Sequence, residues 1–269
     1  MGGLGPLLGI FPHPDDEAYT AGGTMANAAA AGAPVYVLCA TRGEAGQISD
    51  PALATPTTLP AVRERELAAS CAALGAHPPL FLDYRDGTLS DIDLAEAVGR
   101  IVRVIRAVRP RVVITLGPDG VYGHPDHIAL HKLVTPAFRS AGGGDRFPAE
   151  AFGRPHQPDR LFWVAYPRAH FRPVWDRLLD TDLAAGMRRI DPDRLGAGPE
   201  EFHAIVDVRA HLSAKLAAMA AHRTQLHSDD PRSIFPPGIL EPVIGVERFT
   251  LAFDPPPATP WDDVFAGLE

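Results

Sequence analysis

A chain of 269 residues, 46% hydrophobic and 22% charged, has enough apolar side chains for one full-sized α/β domain. A formal net charge of −8 is not built to hold nucleic acid or an anionic membrane surface by charge alone. No apolar stretch approaches the ~20 residues of a membrane-spanning helix, and the two cysteines, Cys39 and Cys71, fall in apolar runs that read as reduced core rather than a disulfide.

In chain order, Leu7 to Phe11 is strand-like and Glu17 to Ala31 is Ala-rich and helical. Val35 to Thr41 is the next strand, followed by a long loop to about Leu59. Pro60 to Leu74 reads as a helix with proline in its first turn. Leu80 and Phe81 sit in a short strand. Ser90 and Asp91 offer caps for a helix through about Val108. Arg111 to Leu116 is a strand, Asp126 to Phe138 a helix and Leu161 to Tyr166 a further strand. Later, Ala204 to Val208 reads as a strand, Ala210 to His222 as a helix, Ser228 to Pro242 as a loop and Ile244 to Phe253 as a late strand. Strands alternating with helices predict parallel pairing, hence an α/β fold, a Rossmann-like three-layer sandwich with a mostly parallel sheet. We expect one domain over 1–269, with its core in 1–170 and a C-terminal elaboration in 171–269. The stretch Met1 to Phe11 has no basic lead, and a cleaved leader would remove the motif that begins at His13, so a cytoplasmic location is expected.

Two motifs carry the chemistry. His13-Pro14-Asp15-Asp16-Glu17 follows the first strand, and His124-Pro125-Asp126-His127 follows the fourth. Both read His-Pro-Asp-X where a strand hands over to a helix, so each histidine is expected in a cap region and each fourth residue in a first turn. The carboxyl ends of parallel strands form the ligand crevice, so topology brings the two motifs together. His13, Asp16 and His127 supply two imidazoles and one carboxylate, a set that suits Zn²⁺ with room for water and substrate. The same ligand types serve non-haem Fe(II). Asp15 beside them favours hydrolysis, because a second carboxylate can accept a proton from metal-bound water, whose pKa the metal lowers to ~7. His124 is the opposing partner for a developing oxyanion or a leaving amine. Asp126 is expected to hold His124 in the required tautomer. One such motif alone would read as a capped helix start; two matching ones do not.

At these residues the chain resembles the LmbE-like or PIG-L zinc-dependent N-acetylglucosaminyl deacetylases, related to those of mycothiol and bacillithiol biosynthesis. The resemblance rests on HPDDE and on YGHPDH at Tyr122 to His127. It extends to TRGEAGQ at Thr41 to Gln47, to Arg63 and Glu66 as R-x-x-E, to Asp86, and to KLAAMAAHRTQ at Lys215 to Gln225. It implies His13, Asp16 and His127 as metal ligands, Asp15 as general base and His124 as acid partner tuned by Asp126. Tyr122 would help polarise the substrate carbonyl, and Arg63 and Asp86 would hold sugar hydroxyls. It implies Zn²⁺, with Fe²⁺ an alternative in vivo, and a small N-acetylated sugar as substrate. Family members often form homo-oligomers; the sequence leaves that open. Glu44 reads as a solvated loop acid and His131 as surface or outside the ligand set. Arg168, His170, His222 and Gln225 read as pocket-lining or packing residues.

The expected reaction is therefore metal-dependent removal of an acetyl group from an N-acetylglucosamine-type substrate. An amidase acting on thiol conjugates or another non-sugar amide differs in the loops Ser49 to Leu59, Ala141 to Gln157 and Ser228 to Pro242. An Fe(II) oxygenase usually carries H-x-D on a β-barrel, and oxygen consumption discriminates it. A non-catalytic sugar- or nucleotide-binding module has no need of Asp15, and the chain lacks G-x-G-x-x-G after its first strand.

Overall fold

The computed structural model describes residues 3–179, 191–226, 228, 230–235 and 240–268. Its strands are β1 (Leu7–Phe11), β2 (Val35–Thr41), β3 (Leu80–Tyr84), β4 (Val112–Leu116), β5 (Arg160–Val164), β6 (Ala204–Asp207) and β7 (Val246–Leu251). Its helices are α1 (Asp16–Ala30), α2 (Leu59–Ala73), α3 (Leu94–Val108), the single turn α4 (Gly120–Gly123), α5 (Pro125–Ser140), the short α6 (Ala149–Phe152), α7 (Arg168–Leu179), α8 (Leu212–Ala221) and α9 (Leu240–Ile244). One sheet runs in the order β3-β2-β1-β4-β5-β7-β6. β1 to β5 are mutually parallel, and β7 and β6 continue the sheet antiparallel.

Every residue of β1 and β4 is buried, the continuous apolar pattern of parallel strands covered on both faces. On one face Phe11, Ile114 and Phe162 pack with Met25 of α1, Leu67 of α2 and Met219 of α8. On the other, Leu8, Ile10 and Val113 meet Ile101 and Ile105 of α3 and Leu130 and Val134 of α5. This is the expected three-layer sandwich.

The order reverses between β1 and β4, because β1 leads through α1 to β2 on one side while β4 lies on the other. That switch point opens a crevice at the strands' carboxyl ends, and the two His-Pro-Asp motifs leave from the strands that flank it.

The last third of the chain is tied in by charge as well as by packing. Lys215 Nζ lies 2.6 Å from Glu247 Oε1, with side-chain exposures of 0% and 2%. The two oxygens of Glu247 also accept the backbone N–H groups of Gly23 and Thr24 within α1 (2.8 and 2.7 Å). Losing one partner of such a buried pair costs roughly 3–5 kcal/mol, so the pair fixes how α8 and β7 seat against α1.

Three expectations change. The cap of α3 is Asp93, whose side chain accepts from Glu96 N, rather than Ser90 or Asp91, which form a 3-10 turn ahead of it. The segment from Ala141 to Gln157 links the end of α5 to the start of β5, at the amino ends of the strands and away from the crevice. There His156 Nε2 meets the Pro110 carbonyl and Asp159 N donates to Arg111 O, which precedes β4. The tract from Ser228 to Pro242 lies partly outside the described residues; what is described includes a 3-10 turn at Pro231–Ile234 and the start of α9.

Candidate metal centre and active site

The two motifs are spelled alike but sit differently on their helices. In the second, His124 is the N-cap of α5 and Pro125 opens the helix. In the first, α1 begins only at Asp16, so Asp15 is the cap and His13 lies two residues ahead of it. Expecting both histidines at the cap was therefore right for one motif only. The reason is backbone geometry: Asp15 has φ 113°, which breaks the helix path after Pro14. Such a conformation costs a non-glycine residue about 1–3 kcal/mol and persists only where the surroundings hold it.

The histidine nitrogens sort themselves by their partners. His127 Nδ1 faces the Gly120 carbonyl at 3.1 Å, so it carries the proton and donates. Its Nε2 is left as a buried lone pair without a hydrogen-bond partner, 3.4 Å from Asp16 Oδ1. Gly120 is required for this arrangement. It has φ 62°, and a Cβ there would come within 3.0 Å of His127 Cβ and 2.8 Å of Ile128. His13 Nε2 faces two carboxylates, Asp86 Oδ1 at 3.0 Å and Asp126 Oδ2 at 3.3 Å, so Nε2 is the donor. That leaves Nδ1, 3.4 Å from Asp16 Oδ2. Asp16 thus lies between two imidazole nitrogens that have no acceptor to donate to except its own carboxylate.

His124 is close as well: ligand atoms of His13, His124 and His127 all lie within 4.8 Å of one another. Its Nδ1, however, accepts the Asp126 backbone N–H at 3.2 Å, which puts the proton of the neutral ring on Nε2. A nitrogen that carries a proton offers no lone pair, so in this tautomer Nε2 of His124 is a hydrogen-bond donor. The same contacts correct the expected role of Asp126. Its carboxylate does not hold His124; it accepts from Gly87 N, Leu89 N and His13. The tautomer of His124 is set by the Asp126 amide instead, because a histidine at an N-cap turns its ring nitrogen onto the free amides of the first turn.

Burial lowers His127 to about 4, with Asp16 opposing, so the ring is neutral near pH 7. Burial also lowers His124, helped by the charge of His13. Burial pulls His13 down too, but hydrogen bonds to Asp126, Asp16 and Asp86 outweigh it and raise the ring well above 6.5. A metal at Nδ1 would compete with that proton. Burial pushes the Asp16 carboxyl up, yet His127 and His13 on either side hold it below the ordinary range. Asp15 goes the other way: burial raises it to about 6 against the pull of Arg63.

Arg63 is only 3% exposed. Its guanidinium lies 3.0 Å from Asp15 Oδ2 and donates to the carbonyls of Gly43 (2.8 Å) and Pro14. Gly43, at φ 65°, makes room for it, since a Cβ there would lie 2.2 Å from Nη1. Tyr122 follows Val121, itself at φ 67°, and its ring stands 4.9 Å from that of His127 and 5.9 Å from that of His124. Burial and the nearby Asp16 and Asp15 raise the phenol well above 10, so it stays a donor.

Other residues differ from their sequence reading. Glu44 is half-buried, not solvated: Oε1 accepts from Asp86 N at 3.0 Å, while Oε2 is buried without a hydrogen-bond partner. His131 Nδ1 meets the Leu116 carbonyl and its ring packs on Trp163, outside the metal-capable groupings found among the described residues. Arg168 is exposed and donates to Gly196 O. Gln225 ties to Gln47 O, and Ser49 N donates to Thr224 O, so the loop after β2 is stitched to the end of α8. Glu17, Ser70 and His222 form a buried cluster beneath Asp15, in which only His222 was expected to line the pocket or pack, and the sequence does not predict their pairing. A signal for the buried carboxylate exists. Glu17 lies on the buried stripe of α1 with Ala21, Met25 and Ala28, and a carboxylate on such a stripe needs partners.

Comparison with known proteins places the chain in a family. Residues 8–138 match the family model described as PIG-L, GlcNAc-PI de-N-acetylase. The 1D-myo-inositol 2-acetamido-2-deoxy-alpha-D-glucopyranoside deacetylase of Thermobispora bispora is 37% identical, covering 91% of this chain and 87% of its own length. The protein of the same name from Mycolicibacterium smegmatis is 35% identical over 98% of this chain and 97% of its own. Among solved structures, the conserved protein TT1542 from Thermus thermophilus superposes with a TM-score of 0.62 at 27% identity, covering 94% of this chain and 96% of that one. The chain belongs to the PIG-L family. No helix among the described residues is long and apolar enough to cross a membrane.

Proposed function

We propose that this protein is a metal-dependent N-deacetylase that hydrolyses the acetamide of an N-acetylglucosamine-type substrate. The observation that carries the reading is the pair of imidazole nitrogens, His13 Nδ1 and His127 Nε2, facing the two oxygens of Asp16 at 3.4 Å with Asp15 next in the chain. The buried, unpartnered Nε2 of His127 fits a metal ligand, and His13, Asp16 and His127 would hold the ion. Zn²⁺ suits the set, and Fe²⁺ uses the same ligand types. Bound there, a divalent ion lowers the pKa of a coordinated water and polarises the acetyl carbonyl.

The remaining steps belong to the protein. Asp15, raised to about 6, takes the proton of the attacking water as general base, a role worth roughly 10²–10⁴-fold in rate. Arg63 holds that carboxylate by its 3.0 Å contact. His124 donates from Nε2 to the developing oxyanion, and the Tyr122 phenol is a second donor for it. The departing amine takes its proton from Asp15 or His124. Asp86 and Asp126 fix the His13 tautomer, as carboxylates behind metal-bound histidines do. The sugar contacts expected of Asp86 and Arg63 would have to compete with partners already in place: Asp86 Oδ1 faces His13 and Oδ2 accepts the Ala45 amide at 3.0 Å, and Arg63 is held on Asp15. The names of the relatives support an N-acetylglucosaminyl inositol or similar conjugate as substrate.

The test is amine release from a panel of N-acetylglucosamine conjugates, with metal-stripped protein and with protein restored by Zn²⁺ or Fe²⁺. Metal-dependent release is expected, and Asp15→Ala should abolish it while leaving the metal bound. Silence across the panel despite stoichiometric metal would move the substrate to a non-sugar amide. Failure to bind metal would overturn the reading.

A further inference from the structure

Asp15 is held at both ends. Arg63 takes its carboxylate at 3.0 Å, and its backbone N–H donates to Glu17 Oε2 at 3.0 Å. Its own side chain makes no capping bond to α1, so the usual anchor of an N-cap residue is missing and φ 113° is held from outside. Glu17 is fully buried. Its Oε1 accepts from Ser70 Oγ of α2 at 2.5 Å and meets Nε2 of the equally buried His222, the cap of α8, at 2.8 Å. A buried carboxylate keeps one orientation only while its oxygens are satisfied. Two donors, one from α2 and one from the end of α8, thus hold Oε1 so that Oε2 faces the Asp15 amide.

We propose that Glu17 and His222 are positioning residues for Asp15. Through the Asp15 amide they hold the strained backbone that aims the carboxylate toward the attacking water. This rests on the reading of Asp15 as general base. Neither residue touches substrate or the reacting atoms. With the His222 donor gone, Oε1 keeps Ser70 alone, the Glu17 carboxylate turns, and Asp15 relaxes out of the left-handed region. Asp16, one residue into the helix, keeps its place between His13 and His127, so metal binding persists while the base is misaligned.

The experiment compares His222→Leu, which fills the space without a donor, with His222→Gln, whose amide can still donate to Glu17. His222→Leu is expected to lower kcat about tenfold or more with KM within about twofold, and to retain one metal per chain by elemental analysis. His222→Gln should return kcat to within about threefold of the parent. Crystal structures of both variants read the geometry directly: Asp15 leaves φ 113° in His222→Leu and keeps it in His222→Gln. If His222→Leu does not fold, Ser70→Ala removes one donor without emptying the core and should misalign Asp15 in the same direction. An unchanged Asp15 backbone in the donor-deleted variant overturns the proposal. So does equal impairment of the Leu and Gln variants, which marks a purely structural histidine. A parent protein that releases no amine from the panel defeats the deacetylase reading, and the Asp15 comparison still decides the positioning role.

Discussion

Asp126 Oδ2 approaches His13 Nε2 at 3.3 Å while taking the Gly87 amide at 2.7 Å, so the carboxylate of the second motif serves the histidine of the first. Asp126→Asn removes the charge that fixes the His13 tautomer and keeps the side-chain shape. Metal affinity, read by competition with a chelator, is expected to fall about 10–100-fold. Unchanged affinity with lost turnover would mean that Asp126 acts on His124 after all.

Arg106 tests the topology from the opposite end of the sheet. It is 4% exposed and its guanidinium donates to the carbonyls of Ala141 (2.9 Å), Phe147 (2.7 Å), Gly153 (2.9 Å) and Gly143. Hydrogen bonds from a charged donor contribute about 1.5–3 kcal/mol each, and orphaned buried carbonyls add to the loss. Arg106→Met is expected to lower urea stability by roughly 3 kcal/mol or more. Because this loop lies at the amino ends of the strands, kcat should be unchanged. A change in kcat would bring the loop into the active site.

The Glu17–His222 pair sets a pH window for stability. Burial pushes Glu17 up, but the charge and hydrogen bond of His222, with Ser70 and the Asp15 amide, hold it below 4.5. Its contribution is complete above 4.5 and is lost as pH falls through the lower folded value. Burial pulls His222 down, but the charge and hydrogen bond of Glu17 raise it above 6.5. Its contribution is complete below 6.5 and is lost as pH rises through the higher folded value. Both are present together between 4.5 and 6.5. The Tm difference between the metal-free parent and metal-free His222→Leu should therefore be widest in that interval and narrow on both sides. A difference that grows steadily with pH would contradict the pairing.

The layered fold was legible because β1, β2 and β4 are apolar, fully or almost fully buried runs separated by helix-length segments. The meeting of the two motifs followed from topology alone. The order β5-β7-β6 did not, since nothing local in Ala204–Asp207 or Val246–Leu251 says which of the two lies against β5. Side-chain partnerships were the least readable. Asp126 and His13 are 113 positions apart and Glu17 and His222 are 205 apart, so their pairing is decided by packing. Local spelling even misled, because identical His-Pro-Asp letters begin helices two residues out of step once Asp15 takes a positive φ. Asp86, Arg63 and Tyr122 do fall in the expected neighbourhood, beside His13, Asp15 and His127, for a reason the spacing did not contain.

The Lys215–Glu247 pair has a consequence for the nascent chain. All three proposed metal ligands have been made by residue 127, yet the amides of Gly23 and Thr24 meet their acceptor only when Glu247 has been added, and Glu66 meets its partner only at Thr224. A chain still leaving the ribosome thus carries the whole ligand set on a first helix that has Leu67 and Ser70 beside it but still lacks His222 and Glu247. The first helix therefore completes its buried polar contacts only when β7 joins the sheet.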